Sequence, residues 1–189
     1  MRSLIFLVLF GLTTVILPAQ TGYDLVVYGG TAGGVMAAVS GARQGLKTAL
    51  IHPGTHVGGM VSGGLSGTDV GKAEVIGGLS LEFYWRTGRH YELNRHLQEI
   101  AWMPEPKVAE AILRSMLAES GVHLWEQHRL QEKVGVVKEG ARLTEIVMEN
   151  GARFRARVFV DASYEGDLMA QAKVRYTFGR ESTRQYGES

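Results

Sequence analysis

The chain has no cysteine among its 189 residues. That removes disulfides, thiol redox chemistry and cysteine-held iron–sulfur clusters from it, so any electron transfer here depends on a bound organic group. A charge excess of one sign is also missing: 20 lysines and arginines stand against 19 aspartates and glutamates, with no basic run of the kind that follows a nucleic-acid backbone. No nucleic-acid partner is expected. Metal-ligand spacing is absent too. His52 and His56 lie four residues apart, but Pro53 and Gly54 break any helix that would align them for zinc, and no metal site is expected. The apolar run from Leu4 to Leu17 is shorter than the roughly 17 to 25 residues of a membrane span, and Thr13 and Thr14 interrupt it. With Arg2 ahead of it and small residues near Ala19, residues 1–20 read as a secretory signal peptide without a twin-arginine pair. This predicts an exported protein, periplasmic or secreted, with no permanent membrane span after cleavage.

Glycine, by contrast, is abundant: 25 residues against four prolines, gathered in "GGTAGG", "GGMVSGGLSG" and the pair Gly77 and Gly78. Clustered glycine marks places where backbone closely approaches something else. An apolar fraction of 45% is that of a globular chain. Tyr23 to Tyr28 reads as a strand buried on both faces, and Gly33 to Gln44 as a helix with Val35, Ala38, Val39 and Ala42 at helical spacing and Gly45 as its stop. Lys47 to Ile51 reads as a second strand, which completes a βαβ unit. Helical pieces are expected over 76–87 and 91–101. A clearer amphipathic helix, "EPKVAEAILRSMLAESG", carries Val108, Ile112, Ser115 and Met116 on one stripe, and a third parallel strand follows at 122–126. Then "LQEKVGVV", "RLTEIVME" and "ARFRARVFV" form an antiparallel meander with a turn at Asn150 and Gly151, feeding a last apolar strand, Val158 to Val160.

The first cluster approximates the dinucleotide fingerprint G-x-G-x-x-G. In that pattern one glycine makes the turn, one admits the pyrophosphate and one lets helix and strand pack closely. Gly29 and Gly34 fill the outer places, and Thr31 stands in the middle one with Gly30 beside it. A β-branched residue avoids positive φ, so Thr31 is expected at an ordinary negative φ with its hydroxyl available to a phosphate. Gly29, Gly30, Thr31, Ala32, Gly33 and Gly34 are the expected phosphate turn. His52 stands where a carboxylate ordinarily accepts bonds from ribose hydroxyls. A 2′-phosphate site there would want a nearby arginine, and none follows before Arg86.

These residues, together with "GTHVGGMVSGGLSGTDVG" at Gly54 to Gly71, "GRHY" at Gly88 to Tyr91 and "FVDASYEGDLMAQAKVRYTFGRES" at Phe159 to Ser182, resemble the N-terminal part of the FAD-dependent oxidoreductase family with a glutathione-reductase-like FAD-binding domain. The resemblance implies FAD as cofactor. It places Gly58 and Gly59 along the pyrophosphate and ribityl chain, Ser62, Gly63 and Gly64 near the flavin, and Asp161 and Ala162 by the phosphate and ribityl region, and it counts Met60 among the cofactor-binding residues. Ser163 and Tyr164 depart from the Ala-Thr-Gly that related flavoproteins often carry. Glu165 and Asp167 read as acids of a helix's first turn, a capping role rather than a catalytic one.

The expected fold is α/β: a Rossmann-like parallel sheet with a βαβ FAD-binding unit and a small antiparallel β-meander. Residues 1–20 are the expected signal peptide and 21–189 the FAD-binding domain, incomplete at its C-terminus and without a substrate domain. The expected activity is that of an exported FAD-dependent oxidoreductase acting on an unidentified organic substrate, a small molecule or one of carbohydrate type, with no catalytic residue assigned. Two alternatives stand beside it: an FAD-binding electron-transfer subunit resembling heterodisulfide-reductase-type flavoproteins, and an inactive nucleotide-binding fragment.

Overall fold

The computed structural model describes residues 21–65, 69–93, 99–177 and 179–187; the expected signal peptide lies outside them. The strands are β1 (Thr21–Tyr28), β2 (Thr48–Ile51), β3 (His123–Trp125), β4 (Val136–Glu139), β5 (Arg142–Val147) and β6 (Arg153–Asp161). The helices are α1 (Ala32–Arg43), α2 (Gly78–His90), α3 (Pro106–Glu119), α4 (Asp167–Gln171) and α5 (Thr183–Tyr186). One six-stranded sheet runs β3-β2-β1-β6-β5-β4. Its first four strands are parallel, and β5 and β4 are antiparallel additions.

Burial on both faces explains the continuous apolar reading of β1 and β2. On one face Leu25, Val27 and Leu50 pack under Val35 and Val39 of α1, Phe83 of α2 and Leu113 and Met116 of α3. On the other, Tyr23, Val26, Tyr28 and Ile51 meet Leu130, Ile146, Met148, Phe154 and Leu168. The buried stripe of α3 is Val108, Ala109, Leu113, Met116 and Leu117. It is rotated from the expected one: Ser115 is exposed and hydrogen-bonds Glu119 at 2.5 Å, because the larger leucines win the core side.

Two other expectations change. The meander and the last apolar strand are not separate: "ARFRARVFV" runs straight into Asp161 as β6. Its first residues pair with β5, and from Phe154 to Asp161 it lies along β1. The helix expected over 91–101 is not seen where the structure describes that stretch. Tyr91 caps α2, and residues 99–101 are irregular, with 94–98 outside the described residues. The "GRHY" motif accounts for this arrangement. Gly88 has no side chain to collide with the Glu99 carbonyl, while Thr87 Oγ1 donates to the Ala101 carbonyl at 2.7 Å and Tyr91 Oη accepts from the Glu105 amide at 2.9 Å.

Candidate functional site

The phosphate turn joins the end of β1 to α1, and β6 and the second glycine cluster close over it. Gly29 adopts φ 112° and lies against the Ala162–Ser163 backbone; an added Cβ would come 2.5 Å from the Ala162 carbonyl carbon. Thr31 has φ −69° as expected and is the N-cap of α1. Its hydroxyl accepts from the Gly34 amide at 3.1 Å and donates to the Ala162 carbonyl at 2.9 Å. The hydroxyl expected to meet a phosphate is thus engaged in the protein, where it fastens α1 to the end of β6. The amides of Ala32 and Gly33, at the start of the helix, have no acceptor within it.

The glycines divide by cause. At Gly34 a Cβ would overlap the Gly29 carbonyl oxygen, and at Gly58, φ 112°, it would overlap the Ser62 hydroxyl. Gly33 is different. It is exposed, and a Cβ there would meet nothing nearer than Thr31 Oγ1 at 3.9 Å. A glycine in a helix costs about 1 kcal/mol relative to alanine, and no packing inside the protein requires this one. The space over Gly33 and the helix-start amides together form a cradle suited to an anion.

The two glycine clusters touch. The Gly58 amide donates to the Gly30 carbonyl at 2.7 Å, and Thr31 and Gly58 form an isolated parallel bridge. Gly59 and Met60 belong to a short 3-10 turn, Gly59–Val61, and the Met60 amide donates to Tyr164 Oη at 2.7 Å. A side chain at Gly59 would overlap that hydroxyl. Tyr164 therefore links the β6–α4 loop to the second cluster. Tyr164→Phe is expected to keep the ring and lose this bond, which lowers stability by about 1 kcal/mol and speeds exchange of the Met60 amide; urea unfolding and hydrogen exchange read the two effects.

Ser62 is buried, and its hydroxyl donates to the Val57 carbonyl at 2.6 Å. Gly63 and Gly64 are exposed. Asp161 turns its carboxylate inward, accepting from the Ser163 amide and hydroxyl at 2.9 and 2.7 Å and from the Met169 amide at 2.8 Å. Asp161 shapes the loop, and Ala162 carries the direct contact with the turn. α4 begins at Asp167, after Gly166 in the left-handed region, so Glu165 stands outside its first turn and lines the cavity instead.

That cavity, 250 Å³, brings together Gly29, Gly30, Thr31, His52 and Gly59 of the expected residues. It also gathers Tyr28, Pro53, Ser163, Tyr164, Glu165 and Asp167, which no motif in the sequence marks as its lining. A second cavity of 430 Å³ shares Tyr28, Pro53 and Asp167 and adds Arg129 and Leu130. An arginine does therefore stand near the end of β2, although far away in sequence. The His128 amide donates to the His52 carbonyl and the Gln127 amide to the Gly54 carbonyl, both at 3.0 Å, and this brings residue 129 alongside.

His52 packs its ring on Gly30, and Nδ1 accepts from the Gly30 amide at 3.1 Å. Nε2 is then a donor, where a carboxylate would accept. Burial pushes the His52 imidazole below its ordinary pKa; the His56 backbone and Glu126 oppose this, while His56 and Arg114 add to it. As pH falls through the ordinary imidazole value, about 6.5, the unfolded chain takes a proton that folded His52 resists. The stability contributed by neutral His52 is thus complete at higher pH and is lost progressively down to its folded pKa. His52→Phe is expected to flatten the slope of melting temperature against pH in that window, and an unchanged slope would refute the assignment.

His56 anchors the second cluster from below. Its Nε2 lies 2.7 Å from the Ser62 carbonyl and its Nδ1 2.6 Å from Glu110. Burial alone would raise the Glu110 pKa, but the Val57 amide and Arg114 outweigh it and hold the carboxyl below its usual range.

The family model for FAD dependent oxidoreductases matches residues 24–189. The chain belongs to the FAD dependent oxidoreductase family, and FAD is its cofactor. Among solved structures it is similar to L-proline dehydrogenase from P. horikoshii, with a TM-score of 0.61 and 15% identity over 86% of this chain and 58% of that one. It is also similar to a geranylgeranyl bacteriochlorophyll reductase-like protein from Thermoplasma acidophilum, at 0.54 and 22% over 83% and 43%. A third similar structure is a myxobacterial chondrochloren halogenase described as a variant of FAD-dependent halogenases, at 0.54 and 21% over 75% and 37%. The chain spans about half the length of these solved proteins, or less. No protein with a curated description matches the sequence.

Proposed function

We propose that this chain is the FAD-binding part of an exported oxidoreductase that acts on a small organic substrate. The cradle at Gly33 carries this reading, because it is a helix start kept free of a side chain for no reason internal to the protein. The Ala32 and Gly33 amides would receive the pyrophosphate. His52, Pro53, Arg129 and Leu130 would flank the adenosine, and Gly59 with Tyr164 would line the path toward the flavin. Glu165 and Asp167 place two carboxylates on the same cavity wall, which favours the phosphates at the α1 end rather than beside α4. Once bound, FAD supplies the two-electron chemistry, and the chain supplies binding, orientation and shielding.

Export is proposed from the charged, apolar and small-residue zones of residues 1–20. The test is to express the protein, release its cofactor by denaturation, identify it by chromatography, and then screen organic substrates anaerobically for bleaching of the flavin absorbance. Recovery of NADP, or of no nucleotide, would overturn the assignment. Retention of the whole protein in the cytoplasm would overturn export alone.

A further inference from the structure

His56 ties the second glycine cluster both to itself and to α3. Its Nε2 faces the Ser62 carbonyl at 2.7 Å, and its Nδ1 faces Glu110 Oε2 at 2.6 Å. Both oxygens can only accept, whereas a neutral imidazole has one donor and one acceptor. A neutral ring would turn a lone pair on one of them at close range, and a ring turned over would meet both with carbon. Only the imidazolium donates to both.

The surrounding charges agree with this. Among the described residues, the charged and titratable groups that face His56 are Glu110 and Arg114 of α3, Glu126 just after β3 and His52 just after β2. Arg114 donates to Glu110 at 2.9 Å and to Glu126 and the Thr55 carbonyl at 2.7 and 2.6 Å. Two carboxylates against one guanidinium leave one negative charge, which an imidazolium at position 56 balances. His52 does not supply that cation: burial above all keeps its imidazole below its ordinary pKa, and His56 and Arg114 add to the effect.

The brace also shapes the backbone beside the cofactor turn. It joins residue 56 to residue 62, and Ser62 Oγ donates to the Val57 carbonyl alongside at 2.6 Å. Inside the loop so closed, the Gly58 amide reaches the Gly30 carbonyl and the Met60 amide reaches Tyr164 Oη, both at 2.7 Å. Loss of one ring proton releases either Ser62 or Glu110 and takes away one side of that frame.

We propose that His56 is a positioning residue for the cofactor site: as an imidazolium it holds the second glycine cluster in its FAD-binding shape, and its deprotonation loosens the cluster and weakens FAD. The inference rests on the assignment of Gly58 and Gly59 to the cofactor site. A permanently charged lysine or arginine would make a brace independent of pH, but histidine makes one that titrates. The ring is 48% exposed, so its proton exchanges with solvent.

Glu110→Gln separates charge from shape. Its amide oxygen can take the place of Oε1, which accepts from the Val57 amide and Arg114 Nε, and its NH2 can stand at Oε2 and donate to a neutral Nδ1 while Nε2–H stays on Ser62. The experiment follows the ring nitrogens of His56 by nitrogen NMR, exchange of the Gly58 amide, and FAD affinity, from about pH 5 to about pH 9, in the wild-type protein and in Glu110→Gln. In the wild type the ring is expected to carry two protons while the loop is protected. It should lose one over the same pH range in which Gly58 exchange accelerates and FAD affinity falls about tenfold. In Glu110→Gln the ring should be the neutral Nε2–H form, with Gly58 protected and this fall in affinity gone. His52 contributes equally to both proteins, so the comparison removes it. A neutral His56 in the wild type with Gly58 still protected, or the same fall in FAD affinity in both proteins, would overturn the proposal. So would an FAD affinity that ignores a coincident change in ring and loop. Failure of the cradle reading is seen separately, as undiminished FAD binding by Gly33→Glu in the same titration.

Discussion

Replacing Gly34 with alanine is expected to destabilise the protein by about 3 kcal/mol, at the upper end for overpacking in a rigid interior. The new methyl would overlap the Gly29 carbonyl oxygen and press on the Ala162 side chain at 3.0 Å. None of these groups can move alone. The Gly29 amide is bonded to the Ile51 carbonyl at 2.8 Å, and Ala162 bonds to Tyr28 through its amide and to Thr31 through its carbonyl. The strain therefore spreads through β1, β2 and β6. Gly45→Ala makes a useful contrast, because that glycine also has a positive φ, 84°, but nothing lies within 4 Å of an added Cβ. Only backbone strain of about 1 kcal/mol is expected there. Urea unfolding of the two variants separates the cases, and equal losses would show that close packing at the turn is not what limits position 34.

Gly33→Glu is expected to do the opposite, sparing the fold and removing the cofactor. Its side chain enters open space, and an acid in the first turn of α1 interacts favourably with the helix dipole. The same carboxylate competes for the Ala32 and Gly33 amides and repels a pyrophosphate. FAD affinity should fall by about a hundredfold, some 2.7 kcal/mol, with the melting temperature of the FAD-free protein unchanged or slightly raised. Titration with FAD, followed by flavin fluorescence, reads the first effect, and thermal unfolding without cofactor reads the second. Undiminished FAD binding would remove the cradle from the cofactor site.

Local chemistry carried most of what the sequence made visible. β1, α1 and β2 were legible because apolar run, glycine turn, helical spacing and glycine stop follow one another without conflict. Thr31 was correctly placed at negative φ by the sterics of its branched side chain, but its hydroxyl was not traceable, since its partner Ala162 lies 131 positions away. Long separation in sequence likewise hid Tyr164, 104 positions from its partner Met60, and Arg129, whose roles arise only when the β6–α4 loop and the loop before Leu130 meet the end of β1. His52 stood out as a departure from a carboxylate. Its bond to Gly30, which converts it from a free ribose partner into a support for the turn, depends on ring orientation and leaves no mark in spacing. The single long strand β6 was divided in two because a strand that changes from antiparallel to parallel neighbours has no composition of its own.

The clamp of residue 162 on residue 31 also bears on the order of folding. The meander of β4, β5 and β6 is built from neighbours in sequence and can form early, whereas the parallel docking of β6 on β1 closes a loop of more than a hundred residues and is kinetically slow. Until that docking occurs Thr31 lacks its partner, and the start of α1 is not held in register with the second glycine cluster. A chain emerging N-terminus first therefore presents its nucleotide motif long before it has a nucleotide site. FAD capture becomes a late event, reporting on completed topology rather than guiding it.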